Sequence, residues 1–205
     1  MGGNVHTGCY SPLCAAARPM KTCLLVIDVQ QSFVHRPYFN GKDLPGFLVS
    51  QNALIALARA RGWPVVRVLH HEPDAPAEAP FARASGLVRA LEGLSDFDAE
   101  LVVYKTRHSA LVGTGLDVWL LQQGVQRLVI SGIRTEQCCE TTARHASDMG
   151  WDVVFVPEAT LTWDIALPSG GVLPVAAIHE RTAAVLRGRF AEVCSVPALQ
   201  AKTFS

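Results

Sequence analysis

From residue 22 onward, apolar runs of strand length alternate with stretches whose apolar residues recur at helical spacing. TCLLVID (22–28) is an unbroken apolar run closed by a charge, the signal of a buried strand. LVSQNALIALARARG (48–62) carries apolar residues three and four apart, and Gly62 is a plausible helix stop. WPVVRVLH (63–70) and AELVVYK (99–105) read as the second and third strands. GLDVWLLQQG (115–124) reads as a short helix, and VQRLVISG (125–132) as the fourth strand. A helix opened by Thr135 extends to Gly150, WDVVFVPE (151–158) is a fifth strand, and a helix over 175–187 precedes FAEVCSV (190–196), a sixth. Strands that alternate with helices imply right-handed crossovers and a mostly parallel sheet covered on both faces. The expected fold is therefore a three-layer α/β/α, Rossmann-like domain with about six strands. Sites in such sheets lie beyond the carboxyl ends of the strands, near the point where the strand order reverses.

Composition narrows the class. The 205 residues are 49% hydrophobic and 18% charged, which suits one globular domain. Eighteen basic residues balance eighteen acidic ones, so charge supplies no reason to expect a nucleic-acid or membrane partner. No apolar run approaches the length of a bilayer span. Residues 1–20 are rich in Gly and small residues and lack the charged and apolar regions of a signal peptide, and His6 breaks the myristoylation pattern. They read as a disordered extension, with Met20 a candidate start. The Pro- and Ala-rich loop 71–81 reads as a pocket wall or lid.

Six cysteines without a C-x-x-C pair suit neither a disulfide framework nor a zinc knuckle, and reduced thiols in the cytoplasm are the simplest expectation. Two of them, Cys138 and Cys139, stand where a helix opens. A thiol there meets unpaired N–H groups and the positive helix end, which favour the thiolate and can bring its pKa below neutrality. Asp28 ends the first strand and Lys105 the third, so the parallel-sheet rule brings carboxylate, ammonium and thiol to one rim. Taken singly, each is more often a turn former, a solvated cation or a small buried residue. Together they suit covalent catalysis: Asp28 exchanging the proton, Lys105 stabilising negative charge, and helix-start amides holding an oxyanion.

The segment GIRTEQCCETTARHASDMG resembles the signature of isochorismatase-like cysteine hydrolases, a family that includes nicotinamidases and related amidases. Gly132, Thr135, Cys138, Thr142 and Arg144 fall in register with it. LLVIDVQQSF resembles the family's first-strand motif, VVYKTRHSALVGTGLDVWL its lysine motif, and PEATLT its late Asp-Ala-Thr box, with Glu158 in place of Asp. The resemblance spans residues 23–196 and implies a single hydrolase domain over 21–205. It implies Cys138 as nucleophile, Asp28 as base and acid, Lys105 as third member, and Cys139 as packing; a one-residue slip would exchange the two cysteines. It further implies a cis peptide between Ile133 and Arg134, with the Arg134 and Cys138 amides as oxyanion donors. Nicotinamidases hold a divalent metal through Asp-x-His and a further His. His70-His71-Glu72-Pro73 does not reproduce that spacing, so neither metal nor cofactor is expected.

Phe33, His70, His108, Thr135 and Trp163 are the substrate-binding candidates, and His35 is expected to be exposed. The implied activity is cleavage of a small-molecule amide-type C–N bond through a thioester, in a homodimer or homotetramer. A vinyl-ether hydrolase of isochorismatase type, working without a nucleophilic thiol, and a non-catalytic binding or assembly member of the fold are the alternatives. The small-molecule substrate itself is not legible.

Overall fold

The computed structural model describes residues 20–202; the extension read over residues 1–20 lies, but for Met20, outside the described residues. The first strand, β1 (Thr22–Ile27), is buried at every position. Its side chains alternate between two cores. Cys23, Leu25 and Ile27 face one cluster, with Leu116, Leu120, Ala143 and Ala146, while Leu24 and Val26 face another with Phe47, Leu54, Ile55 and Leu199. A strand covered on both faces has no polar side to show, which is why its apolar run is continuous.

A 3₁₀ turn (Gln31–His35) and α1 (Leu44–Ala60) lead to β2 (Val65–His70), and β3 (Leu101–Lys105) follows after a second short 3₁₀ turn (Arg83–Ser85). Next come α2 (Leu116–Gln122), β4 (Arg127–Ile133), a wide π-type turn (Thr135–Cys139) and α3 (Glu140–Asp148). Then come β5 (Asp152–Leu161), a small antiparallel hairpin of β6 (Ile165–Ala166) and β7 (Val172–Leu173), α4 (Val175–Leu186), β8 (Glu192–Val193) and α5 (Val196–Ala201). The six-stranded sheet has the order β3-β2-β1-β4-β5-β8 and is parallel throughout, with helices on both faces. The strand order reverses between β1 and β4, so the three-layer fold places its crevice at their carboxyl ends.

The structure departs from the sequence reading in places with physical causes. The fifth strand does not stop at Glu158. Pro157 cannot donate to the ladder, the register with β4 shifts between Ile130 and Gly132, and pairing then resumes through Thr160 and Leu161. The sixth strand shrinks to Glu192–Val193, because the Ser195 hydroxyl accepts from the Ala198 N–H at 3.2 Å and Pro197 suits a first helical turn. The helix predicted over 48–62 starts four residues earlier, with Pro45 in its first turn.

Candidate active site

Chain geometry at three strand ends brings the reactive groups together. Ile27 lies opposite Val68 on one side and Gly132 on the other, so the next residue, Asp28, enters the crevice between β1 and β4. Asp28 takes a left-handed backbone (φ 52°), a conformation that Asp tolerates better than most residues, while its N–H donates to Val68 O at 2.8 Å. Gly132 is required by close approach: a Cβ there would lie 1.9 Å from the Ile27 carbonyl oxygen. Lys105 closes β3 in register with His70. Cys138 lies in the wide turn after β4, where Cys139 N–H reaches back to Arg134 O at 3.2 Å, a bond five residues long.

Lys105 occupies the centre of the constellation. Its Nζ lies 2.8 Å from Asp28 Oδ2, and donates to Arg107 O at 3.0 Å and to Cys138 Sγ at 3.3 Å. Two hydrogen bonds and one ion pair hold the ammonium from three sides, so its position is fixed. The Lys105 and Asp28 side chains have no exposed surface, and Cys138 keeps 7%. Burial raises the pKa of Asp28, opposed by the Lys105 charge. Burial would push Lys105 down, but Asp28 and Cys138 together raise it. The Cys138 thiol is pushed up to about 12, first by burial and then by the Asp28 charge, with Lys105 opposing. The site thus encloses the Asp28–Lys105 contact beside a thiol that burial keeps protonated. The expectation of a thiolate lowered by the helix start is corrected: desolvation and the neighbouring carboxylate outweigh it.

Cys139 is wholly buried in the core on the α3 side and its pKa is raised well above the ordinary thiol value. Cys23, Cys138, Cys139 and Cys194 are free thiols. The Ile133–Arg134 peptide is cis, and the Arg134 N–H finds no backbone acceptor among the described residues. Thr135 has no exposed surface, and its hydroxyl bonds Thr160 Oγ1 at 2.8 Å, which in turn donates to Pro157 O. Phe33 stacks on Trp163 with centroids 5.7 Å apart, and both are buried; the Trp163 Nε1–H donates to Asn40 O. His108 and His35 are exposed. His70 is half-buried, edge-on to Phe81 at 5.7 Å, and desolvation lowers its pKa to about 4. His71 turns instead to Tyr104, and Glu72 is exposed. The two imidazoles therefore pack on different rings, and among the described residues no three His, Cys, Asp or Glu side chains gather as metal ligands. This donor set does not fit the nicotinamidase type of metal site.

The sequence reading does not single out Gln30, Glu136 or Glu140, and it assigns Arg134 a role only through its backbone. Gln30 clips the second strand to the first: Oε1 accepts from His70 N–H at 2.8 Å, and Nε2 donates to His70 O at 3.0 Å. Arg134 is buried against Glu136 at 3.0 Å, under Tyr38 and Trp163. Glu140, buried just past the cysteine pair, binds Arg144, Arg181 and Thr182 and so ties the turn to α4. Gln30 was visible within the first-strand motif. The ion pairs link segments too distant for sequence spacing to reveal.

An open parallel sheet with carboxylate, ammonium and thiol converging at its carboxyl edge defines a compact site of the hydrolytic kind. Residues 22–197 match the Isochorismatase domain model, and the chain belongs to the isochorismatase family of hydrolases. It is 25% identical to the uncharacterized isochorismatase family protein YrdC of Bacillus subtilis, covering 87% of this chain and 94% of that one. It is 32% identical to a streptothricin hydrolase of Streptomyces noursei, over 78% of this chain and 62% of that protein. A secreted isochorismatase effector of Verticillium dahliae is 28% identical, over 74% and 78%. Among solved structures, an isochorismatase-like protein of Burkholderia xenovorans LB400 superposes with a TM-score of 0.80 at 31% identity, covering 90% and 88%. A cysteine hydrolase of Pseudomonas syringae pv. phaseolicola 1448A shares the fold at a TM-score of 0.79 and 22% identity, over 89% and 92%. Among the described residues no helix is long and apolar enough to cross a membrane.

Proposed function

We propose that this hydrolase cleaves the C–N bond of a small amide through a thioester on Cys138. The observation that carries the reading is the buried contact of Lys105 with both Asp28, at 2.8 Å, and Cys138, at 3.3 Å. A neutral thiol beside a carboxylate of raised pKa suits proton transfer at the moment of attack, when Sγ bonds to the amide carbon and its proton passes to Asp28. Lys105 offsets the negative charge that moves onto sulfur. The oxyanion would rest on the amides of Arg134 and Cys138. Asp28 then protonates the departing nitrogen as the C–N bond breaks. Water attacks the thioester, giving its proton to Asp28, and the thiol is regained as the acid leaves. The streptothricin hydrolase among the relatives is consistent with hydrolytic chemistry of this breadth.

The test is an ammonia-release screen over small primary amides, run with the native protein and with Cys138→Ala. Release from at least one amide, abolished in the variant, is the expected result. Equal release by both proteins would sink the thiol mechanism.

A further inference from the structure

The central sheet has two edges, and they are finished differently. At one, β8 pairs over two residues and the chain turns at once into α5, opened by the Ser195 cap. At the other, β3 runs five residues and bonds to β2 alone. Alternate residues of a strand turn their N–H and C=O to opposite neighbours. Lys105 O accepts from His71 N–H at 3.0 Å, so Lys105, Val103 and Leu101 bond toward β2. Val102 and Tyr104 therefore aim their N–H and C=O outward, and among the described residues none of those four groups has a partner. Open ladder positions at an edge are a template for another strand unless something blunts them. Here the strand carries no proline, and its one charge, Lys105, turns inward to Asp28 and Cys138. The outward residues are instead apolar and exposed, Val102 at 44% and Tyr104 at 40%.

A second copy of the same strand, laid antiparallel about a two-fold axis at Val103, matches this edge. In that register Val102 faces Tyr104 of the second copy, and Tyr104 faces Val102. Each pair exchanges two hydrogen bonds, so all four outward groups on each strand are used. On the face away from Lys105, each pair sets an aromatic ring against a β-branched side chain, a favourable cross-strand contact. Charge selects the direction. Exposed Asp98 and Glu100 precede the strand, and exposed Arg107 follows it without a carboxylate partner among the described residues. Antiparallel pairing lays the acidic end of each copy along the basic end of the other, whereas parallel pairing would set like charges side by side.

We propose that β3 is the surface through which two copies of this chain join, continuing their sheets into one. The family resemblance implies an oligomer without assigning a surface; the open edge supplies both surface and register. Neither the pairing nor its test depends on the amide-hydrolase reading.

Sedimentation equilibrium of the native protein is expected to show a dimer that dissociates on dilution. Val102→Glu combined with Tyr104→Glu brings carboxylates opposite one another in both pairs and weakens the dimer by at least about 100-fold. Val102→Lys combined with Tyr104→Glu sets opposite charges in both pairs and keeps the dissociation constant within about 10-fold of native. The two variants place the same number of charges on the same strand, so general damage to the fold would affect both alike. Hydrogen exchange reads the register without any substitution: the Val102 and Tyr104 amides lose protection on dilution, while those of Val103 and Lys105, bonded to β2, keep theirs. Should the variants misfold, exchange on the native protein decides. A dimer that survives the glutamate pair, or Val102 and Tyr104 amides indifferent to dilution, overturns the proposal. A native monomer at every concentration also overturns it and leaves the edge to a strand of another protein.

Discussion

Two ion pairs stand at opposite ends of the central sheet. At the amino ends of β4 and β5, which are in register there, Arg127 Nε meets Asp152 Oδ2 at 2.6 Å. At the carboxyl ends of β1 and β3, Lys105 Nζ meets Asp28 Oδ2 at 2.8 Å. By distance they are equals. The Asp152 side chain is 44% exposed, however, whereas both side chains of the other pair have no exposed surface. Water reaches the first pair through Asp152 and screens it, though Arg127 itself is buried, while the second is enclosed with a thiol and each charge depends on the other. Cavity size misleads in the same direction. A groove of about 630 Å³ lies at the amino end, lined by Trp151, Asp152, Arg187 and Phe190 among others, without a buried nucleophile or an enclosed charge pair. Enclosure, and what is enclosed, marks the reactive end.

The sharpest break of that contrast is Asp28→Asn, which removes the proton acceptor while keeping the shape. We expect a loss of about 10²–10⁴ in kcat, read by ammonia release; an active variant would mean the carboxylate is structural. Gly132→Ala should destabilise by more than about 4 kcal/mol, because the contact it forces is with backbone that cannot step aside. Chemical denaturation measures it, and an unchanged midpoint would refute the close approach. Lys105→Met leaves Asp28 buried without its cation and should cost about 3–5 kcal/mol. Asp152→Asn, the matching change at the pair whose carboxylate faces water, should cost below about 1 kcal/mol and leave turnover unchanged. Similar losses for the two would erase the distinction.

A pH experiment probes the same enclosure. In the folded protein Cys138 holds its proton up to about 12, whereas an unfolded thiol releases it near ~8.5. The unfolded chain therefore loses the proton first, and this group's contribution to stability is full below ~8.5 and fades as pH climbs toward 12. Iodoacetamide modification of native Cys138 should accordingly keep accelerating above pH 9. A plateau near 8.5 would mean the thiol is open to water.

Much of this was readable from the chain. Asp28 and Lys105 each terminate an apolar run, so the strand ends and their shared rim follow from hydrophobic pattern alone. Gly132 sat in a recognisable signature, and its reason became visible only when Ile27 was placed opposite. Features set by distant partners were hidden. The strand past Pro157 depends on pairing with β4, and the two-residue β8 is too short to carry a period. The protonation of Cys138 follows from burial and from a carboxylate 110 residues away in sequence.

The most direct test of the central claim is rapid-quench mass spectrometry of the protein turning over an amide that releases ammonia. The account predicts an acyl adduct, confined on digestion to Cys138, that forms and decays within turnover. Sustained ammonia release with Cys138 unmodified at every quench time, or an adduct on Cys139, would contradict it.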